Sequence, residues 1–208
     1  MTALATVLDV EAVLQREIAA DDIPRVTRLI EMASGVVRRE AGGQTITAVA
    51  GDVTTLAGTY ETELWLPQRP VTAVTSITVD GIATVADTYR WTRHGRLYRT
   101  SYDREIPDWR SWGAWGTPDA AVVVTYDHGY AEPPDDLALV VAEMVATRIS
   151  NPESLRSESV EDYSVGHTQP ATGEPLSFGM TDAHRETIAR YAMPITSVPI
   201  TTDSSFAG

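Results

Sequence analysis

The sequence predicts an α+β fold in which a small antiparallel helical bundle is interrupted by a mainly antiparallel β insertion. Three observations carry this. Apolar residues recur at the helical period in both flanks and at a period of two in the middle. All five Trp and six of the eight Tyr lie between Tyr60 and Tyr130, whereas the flanks are built from Ala, Val, Leu and Ile. Neither flank can bury its stripe alone, because an isolated pair of short helices is marginal in water. The two flanks are therefore expected to pack together as one helical domain (residues 1–43 and 131–192), around a β-rich insertion (44–130) and ahead of an extended C-terminal tail (193–208).

The first helix is expected over 9–18, capped by Asp9, with Val10, Val13, Leu14 and Ile18 on one side. A second follows over 22–40. There Asp21 and Asp22 offer capping oxygens, Pro24 suits a first turn, and Val26, Leu29, Ile30, Ala33, Val36 and Val37 form a stripe. Arg38 and Arg39 complement its C-terminal dipole and Gly42-Gly43 ends it. In the middle, 59–66 alternates through Thr62, Leu64 and Leu66, and 71–79 alternates up to an Asp80-Gly81 turn. Residues 88–93 and 96–100 flank His94-Gly95 as a tight hairpin, and 120–126, AAVVVTY, reads as a buried strand. Helix returns over 134–150, with Leu137, Val140, Val141, Met144, Val145 and Ile149 on one side, and stops at Asn151-Pro152. The polar stretch 153–179 reads as a long loop, and a last helix runs over 181–192 from a Thr181 cap.

Sixteen cations, all Arg, stand against 29 acidic residues, for a net charge of −13. Such a surface opposes both general nucleic-acid binding and docking on an anionic membrane. The absence of Cys removes disulfide scaffolds, zinc fingers, iron–sulfur sites and thiol nucleophiles. No window approaches about 18 apolar residues and no leader pattern opens the chain, so the expectation is a cytosol-like compartment without a membrane span.

The run 87–112 is locally cationic, with six Arg against four acids interleaved with aromatics. Its hairpin residues Arg90, Trp91, Arg93, Arg96, Tyr98 and Arg99 are candidates for contact with a protein partner. The plainer alternative is a solvated hairpin whose Arg stems cover aromatic faces. Trp109, Trp112 and Trp115 recur every third residue, either as a carbohydrate-type platform or as anchors of a loop folded over the sheet. His94 and His128 are the obvious acid–base candidates, but no HxH, HExxH, GxSxG, P-loop or GxGxxG pattern accompanies them. No catalytic residue, metal site or cofactor is assigned, and the chain is not read as an enzyme. In the tail, Ile195, Val198 and Ile200 are apolar and β-prone, suited to strand addition at the sheet edge of a partner.

Three stretches carry a resemblance: LIEMASGVVRREAG; RPVTAVTSITVDG; and VVVTYDHGYAEPPDDLALVVAEMVATRISNPESLRSESVEDYSVGH, whose most distinctive pieces are 126–137 and 157–165. From about Val7 to Ala192 the chain resembles the head-tail connector (adaptor) proteins of long-tailed bacteriophages and related prophages. It departs from the simple adaptors in the size of its aromatic β insertion. The resemblance implies a structural protein of the virion neck, assembled in the host bacterial cytoplasm, as a homo-oligomeric ring of about twelve copies. The implied partners are the portal protein above, with Ile195, Val198 and Ile200 as the docking tail, and a downstream connector, stopper or tail-terminator protein below. Double-stranded DNA would pass through the channel without specific binding. An acidic ring suits that role, since it repels phosphates during packaging and ejection. The alternatives are a neighbouring connector or stopper protein, or a carbohydrate- or protein-binding β module.

Overall fold

Thr6, not Asp9, opens the first helix. In the computed structural model, which describes residues 2–100, 114–151, 157–160, 163–166 and 179–192, α1 spans Val7–Leu14. The Thr6 hydroxyl accepts from the Asp9 N–H at 3.3 Å, and the Asp9 carboxylate accepts from the Thr6 N–H at 2.6 Å. This reciprocal capping box satisfies two N-terminal donors, so Asp9 lies inside the helix rather than at its cap. The helix ends early because Gln15 turns left-handed (φ 52°) and the Glu11 carboxylate takes up the Ile18 N–H.

Helix α2, Ile23–Glu40, starts from a short 3-10 turn, Ala20–Asp22. Asp22 occupies the cap position without a side-chain bond to the helix, so the expected capping oxygens are not used; Pro24 in the first turn fits as anticipated. Val26, Ile30, Ala33, Ser34 and Val37 are buried, and the Ser34 hydroxyl accepts from the Leu4 N–H while donating to the Ile30 carbonyl. Helix α3, Asp135–Ser150, buries Leu137, Val140, Val141, Ala142, Met144, Val145 and Ala146. This is a wider band than one stripe, because α3 packs against both α1 and α2 and against the last helix, α4 (Asp182–Ala189). Thr181 caps α4 as expected, with His184 closing the box. These helices belong to one compact unit, drawn from 1–44 and 132–192.

A second compact unit takes in 45–131. Its strands are β1 (Val49–Ala57), β2 (Glu63–Trp65), β3 (Val71–Val79), β4 (Ile82–Ala83), β5 (Tyr89–Trp91), β6 (Arg96–Arg99) and β7 (Ala121–His128). They form a four-stranded sheet, β1-β7-β3-β4, and a three-stranded sheet, β2-β6-β5, with every strand pair antiparallel. Strand β3 has the expected bounds, and Asp80-Gly81, both at positive φ, turns into β4. Strand β7 alternates partly and fully buried residues and is not buried throughout as anticipated, since one face of its sheet is only partly covered. Leu64, Val71, Ile77, Leu97, Trp115, Val122, Val124 and Tyr126 pack in a single core fed by both sheets.

One segment expected to be loop contains further structure. Strands β8 (Ser157–Val160) and β9 (Tyr163–Gly166) pair antiparallel as a short hairpin within 153–179. The architecture is thus mixed helix and antiparallel sheet. No helix among the described residues is long and apolar enough to cross a membrane. Trp109, Trp112 and the tail residues Ile195, Val198 and Ile200 lie outside the described residues.

Candidate interaction surface

Register sorts the hairpin residues into two faces. Glu63 pairs with Tyr98, which pairs with Arg90, and Trp65 pairs with Arg96. Directly opposed residues share a face, so Glu63, Trp65, Arg90, Arg96 and Tyr98 stand together on the side away from the core. Leu64, Leu97, Tyr89, Trp91 and Arg99 share the other side.

On the outer face, Arg96 is ion-paired with Glu63 and lies 5.6 Å over the Tyr98 ring. Its guanidinium holds the Glu63 carboxyl below the usual carboxylate range, chiefly through their hydrogen bond. Both groups meet solvent, so the pair orients the two side chains more than it stabilises the fold. Arg90 is exposed, its Nη1 donates to the Tyr89 carbonyl at 2.9 Å, and among the described residues no carboxylate is ion-paired with it. Trp65 is 39% exposed. Neither Trp65 nor Glu63 was singled out from the sequence, although the pairing of 59–66 with the hairpin would have placed them there.

The inner side follows the plainer alternative. Arg99 stacks 4.9 Å over the ring of Trp115, which is fully buried and donates its indole N–H to the Thr62 carbonyl at 2.8 Å. Trp115 is therefore a core anchor and cannot belong to an exposed three-Trp platform. Arg93 is exposed at the turn, its guanidinium 5.9 Å from the Tyr130 ring, and Trp91 is 36% exposed.

The histidines have carboxylate partners that the sequence did not reveal. A bulge between Val49 and Asp52 brings Asp52 within 3.1 Å of His128 Nε2, and Glu143 lies 2.8 Å from His184 Nε2. His128 is 2% exposed beside the Tyr126 ring, and His184 Nδ1 accepts from the Thr181 N–H in the α4 cap. Both pairs brace structure, while His94 is exposed at the hairpin turn. Among the described residues no group of three or more His, Asp or Glu could hold a metal ion.

Tyr126 supplies a pH test. Burial pushes its phenol up to about 12, above the ordinary value of 10. Its contribution to stability is then complete below pH 10 and is lost as pH rises through 12. Over that window, wild-type protein is expected to lose on the order of 2 kcal/mol more stability than Tyr126→Phe in chemical denaturation. Parallel pH profiles for the two proteins would show that Tyr126 ionises as freely in the fold as out of it.

No protein-family profile matches the chain, and comparison with curated proteins gives no match. Solved structures do match. A chain from the "Neck of empty GTA particle computed with C6 symmetry" superposes with a TM-score of 0.53 at 18% identity, over 93% of this chain and 94% of that one. A chain from the "Virion of native gene transfer agent (GTA) particle" gives a TM-score of 0.50 at 14% identity, over 92% and 90%. The likeness extends over about nine-tenths of each chain. At such identities the likeness is one of fold.

Proposed function

We propose that the chain is a structural, non-catalytic protein of a virion neck: a head-tail connector that forms a ring below the portal, joins capsid to tail and surrounds the DNA channel. The observation that carries this reading is the fold likeness, over more than nine-tenths of both chains, to a neck component of a gene transfer agent particle. That neck was computed with C6 symmetry, which suits a closed ring of six copies or a multiple such as about twelve. The resemblance of 126–137 and 157–165 to the connector proteins points the same way. On this reading the helical unit is the adaptor bundle and the β unit its enlarged insertion.

The net charge of −13 supports the channel role. A ring of such subunits would present a negative potential to passing DNA, and a basic lumen would act as a brake.

The tail residues Ile195, Val198 and Ile200 are assigned to portal docking by strand addition, with the missing N–H of Pro199 turned away from the ladder. Deleting 195–208 is expected to leave the thermal midpoint of the purified protein unchanged. Particles assembled with that truncation should be heads without tails that leak DNA, as seen by electron microscopy. Normal tailed particles would reject the docking role, and absence of the full-length chain from the neck would reject the connector reading itself.

A further inference from the structure

The outer face of the three-stranded sheet has the composition of a binding hot spot. Trp, Tyr and Arg are the residues that most often carry interface energy, and here Trp65, Tyr98, Arg90 and Arg96 stand side by side with a single carboxylate, Glu63. The hairpin 89–100 holds four Arg and no acid, so of the total charge of −13 the rest of the chain carries −17. Residues 1–44 and 132–192, the helical unit, account for 18 carboxylates against nine Arg.

That unit also offers a receptor. A groove of about 220 Å³ opens where the α1–α2 connection meets the end of α3, with Leu14, Ile18, Val26 and Ile149 supplying its apolar lining. Glu17 and Asp22 stand at it, with Arg16 and Arg25 alongside. Both carboxylates are exposed and, among the described residues, neither has an ion-pair partner, while Asp21 extends the acidic run beside them.

We propose that these two surfaces meet between copies of the chain: Trp65 of one copy seats in the helical groove of the next, and Arg90 faces Glu17 and Asp22 there. The inference rests on the ring reading above and names the contact that would close the ring. Patch and counter-patch lie on different units, so the contact is heterologous, the kind that builds rings when its rotation closes. Apolar lining takes the indole, and Arg90 meets exposed carboxylates that, like it, have no ion-pair partner among the described residues, which gives orientation as well as attraction. Arg96 and Tyr98, already stacked on each other, would flank the indole and keep water from it.

The test uses the full-length chain. Trp65→Ala and Arg90→Glu alter exposed side chains, so circular dichroism and the thermal midpoint should match wild type. Self-association, followed by sedimentation over a rising concentration series, is expected to weaken at least tenfold in each. Asp22→Arg alone should weaken it similarly, and Asp22→Arg combined with Arg90→Glu should recover most of the loss, because the swapped charges again oppose. Folded variants that associate as wild type does, or a charge swap that adds two defects without recovery, would overturn the contact. Images of particles carrying the Trp65→Ala, Arg90→Glu chain separate this inference from the reading beneath it. An intact ring there sinks the contact alone, whereas wild-type particles without a ring of this chain sink both.

Discussion

Trp115→Ala is expected to cost the β unit on the order of 3–5 kcal/mol, a large share of the roughly 5–15 kcal/mol that holds a typical domain folded. Three losses coincide at this residue. The indole is fully buried in the core shared by Leu64, Leu97, Val122 and Val124, and its removal leaves a cavity that strands on two sheets cannot readily collapse into. Its N–H no longer satisfies the Thr62 carbonyl, and Arg99 loses the ring beneath its guanidinium. Urea denaturation followed by circular dichroism would read the effect. Trp115→Phe should keep most of the apolar volume while losing the N–H, so it should fall between wild type and alanine. A midpoint for Trp115→Ala within error of wild type would remove Trp115 from the core and restore it as a candidate for ligand stacking.

Gly129→Ala is expected to be nearly as severe, for a backbone reason. Gly129 has φ +89°, and a Cβ placed on it would lie 2.3 Å from the Thr47 carbonyl oxygen and 2.6 Å from its carbon. Neither can yield separately. The Gly129 N–H donates to the Pro70 carbonyl, and the next residue, Tyr130, exchanges bonds with Ile46 and Ala48. A methyl group here pries the end of β7 from the 46–48 segment, at a cost on the order of 3 kcal/mol once the left-handed backbone is included. Gly81→Ala is the matched control: its φ is +79°, yet nothing lies within 4 Å of the added carbon, so only the backbone strain of about 1 kcal/mol remains. Equal melting temperatures for the two variants would contradict the steric account.

The helices were legible because caps and stripes are local. Thr181, Pro24 and the Leu137–Val145 pattern needed no knowledge of distant residues, and even the misplaced start at Asp9 was off by only a turn's fraction, because Thr6 and Asp9 share one capping box. Strand β3 was legible from a clean alternation ending in Asp80-Gly81. Strand β1 was not singled out, because Gly51 and the bulge before Asp52 break its period. The candidate surface was half legible. Composition picked out Arg90, Trp91, Arg93, Arg96, Tyr98 and Arg99, but only cross-strand register separates Arg90, which faces outward, from Arg99, which covers Trp115. Spacing alone likewise could not tell a buried Trp115 from a displayed one, since burial is decided by residues more than fifty positions away in sequence, as the bond to Thr62 shows.

Strand order also sets a timetable. Strand β7 lies between β1 and β3, although it is the last of the three to be synthesised. Until residue 128 has emerged from the ribosome, β1 has no ladder partner and β3 has only the two residues of β4. The helical unit waits in the same way, because α3, which packs on both earlier helices, follows β7 in the chain. The β unit therefore cannot close before residue 128 is available, nor the helical unit before α3 is complete. Both complete from contacts distant in sequence, a topology that slows folding, and the nascent protein must keep a nine-residue strand edge unpaired for the time it takes to make some seventy more residues.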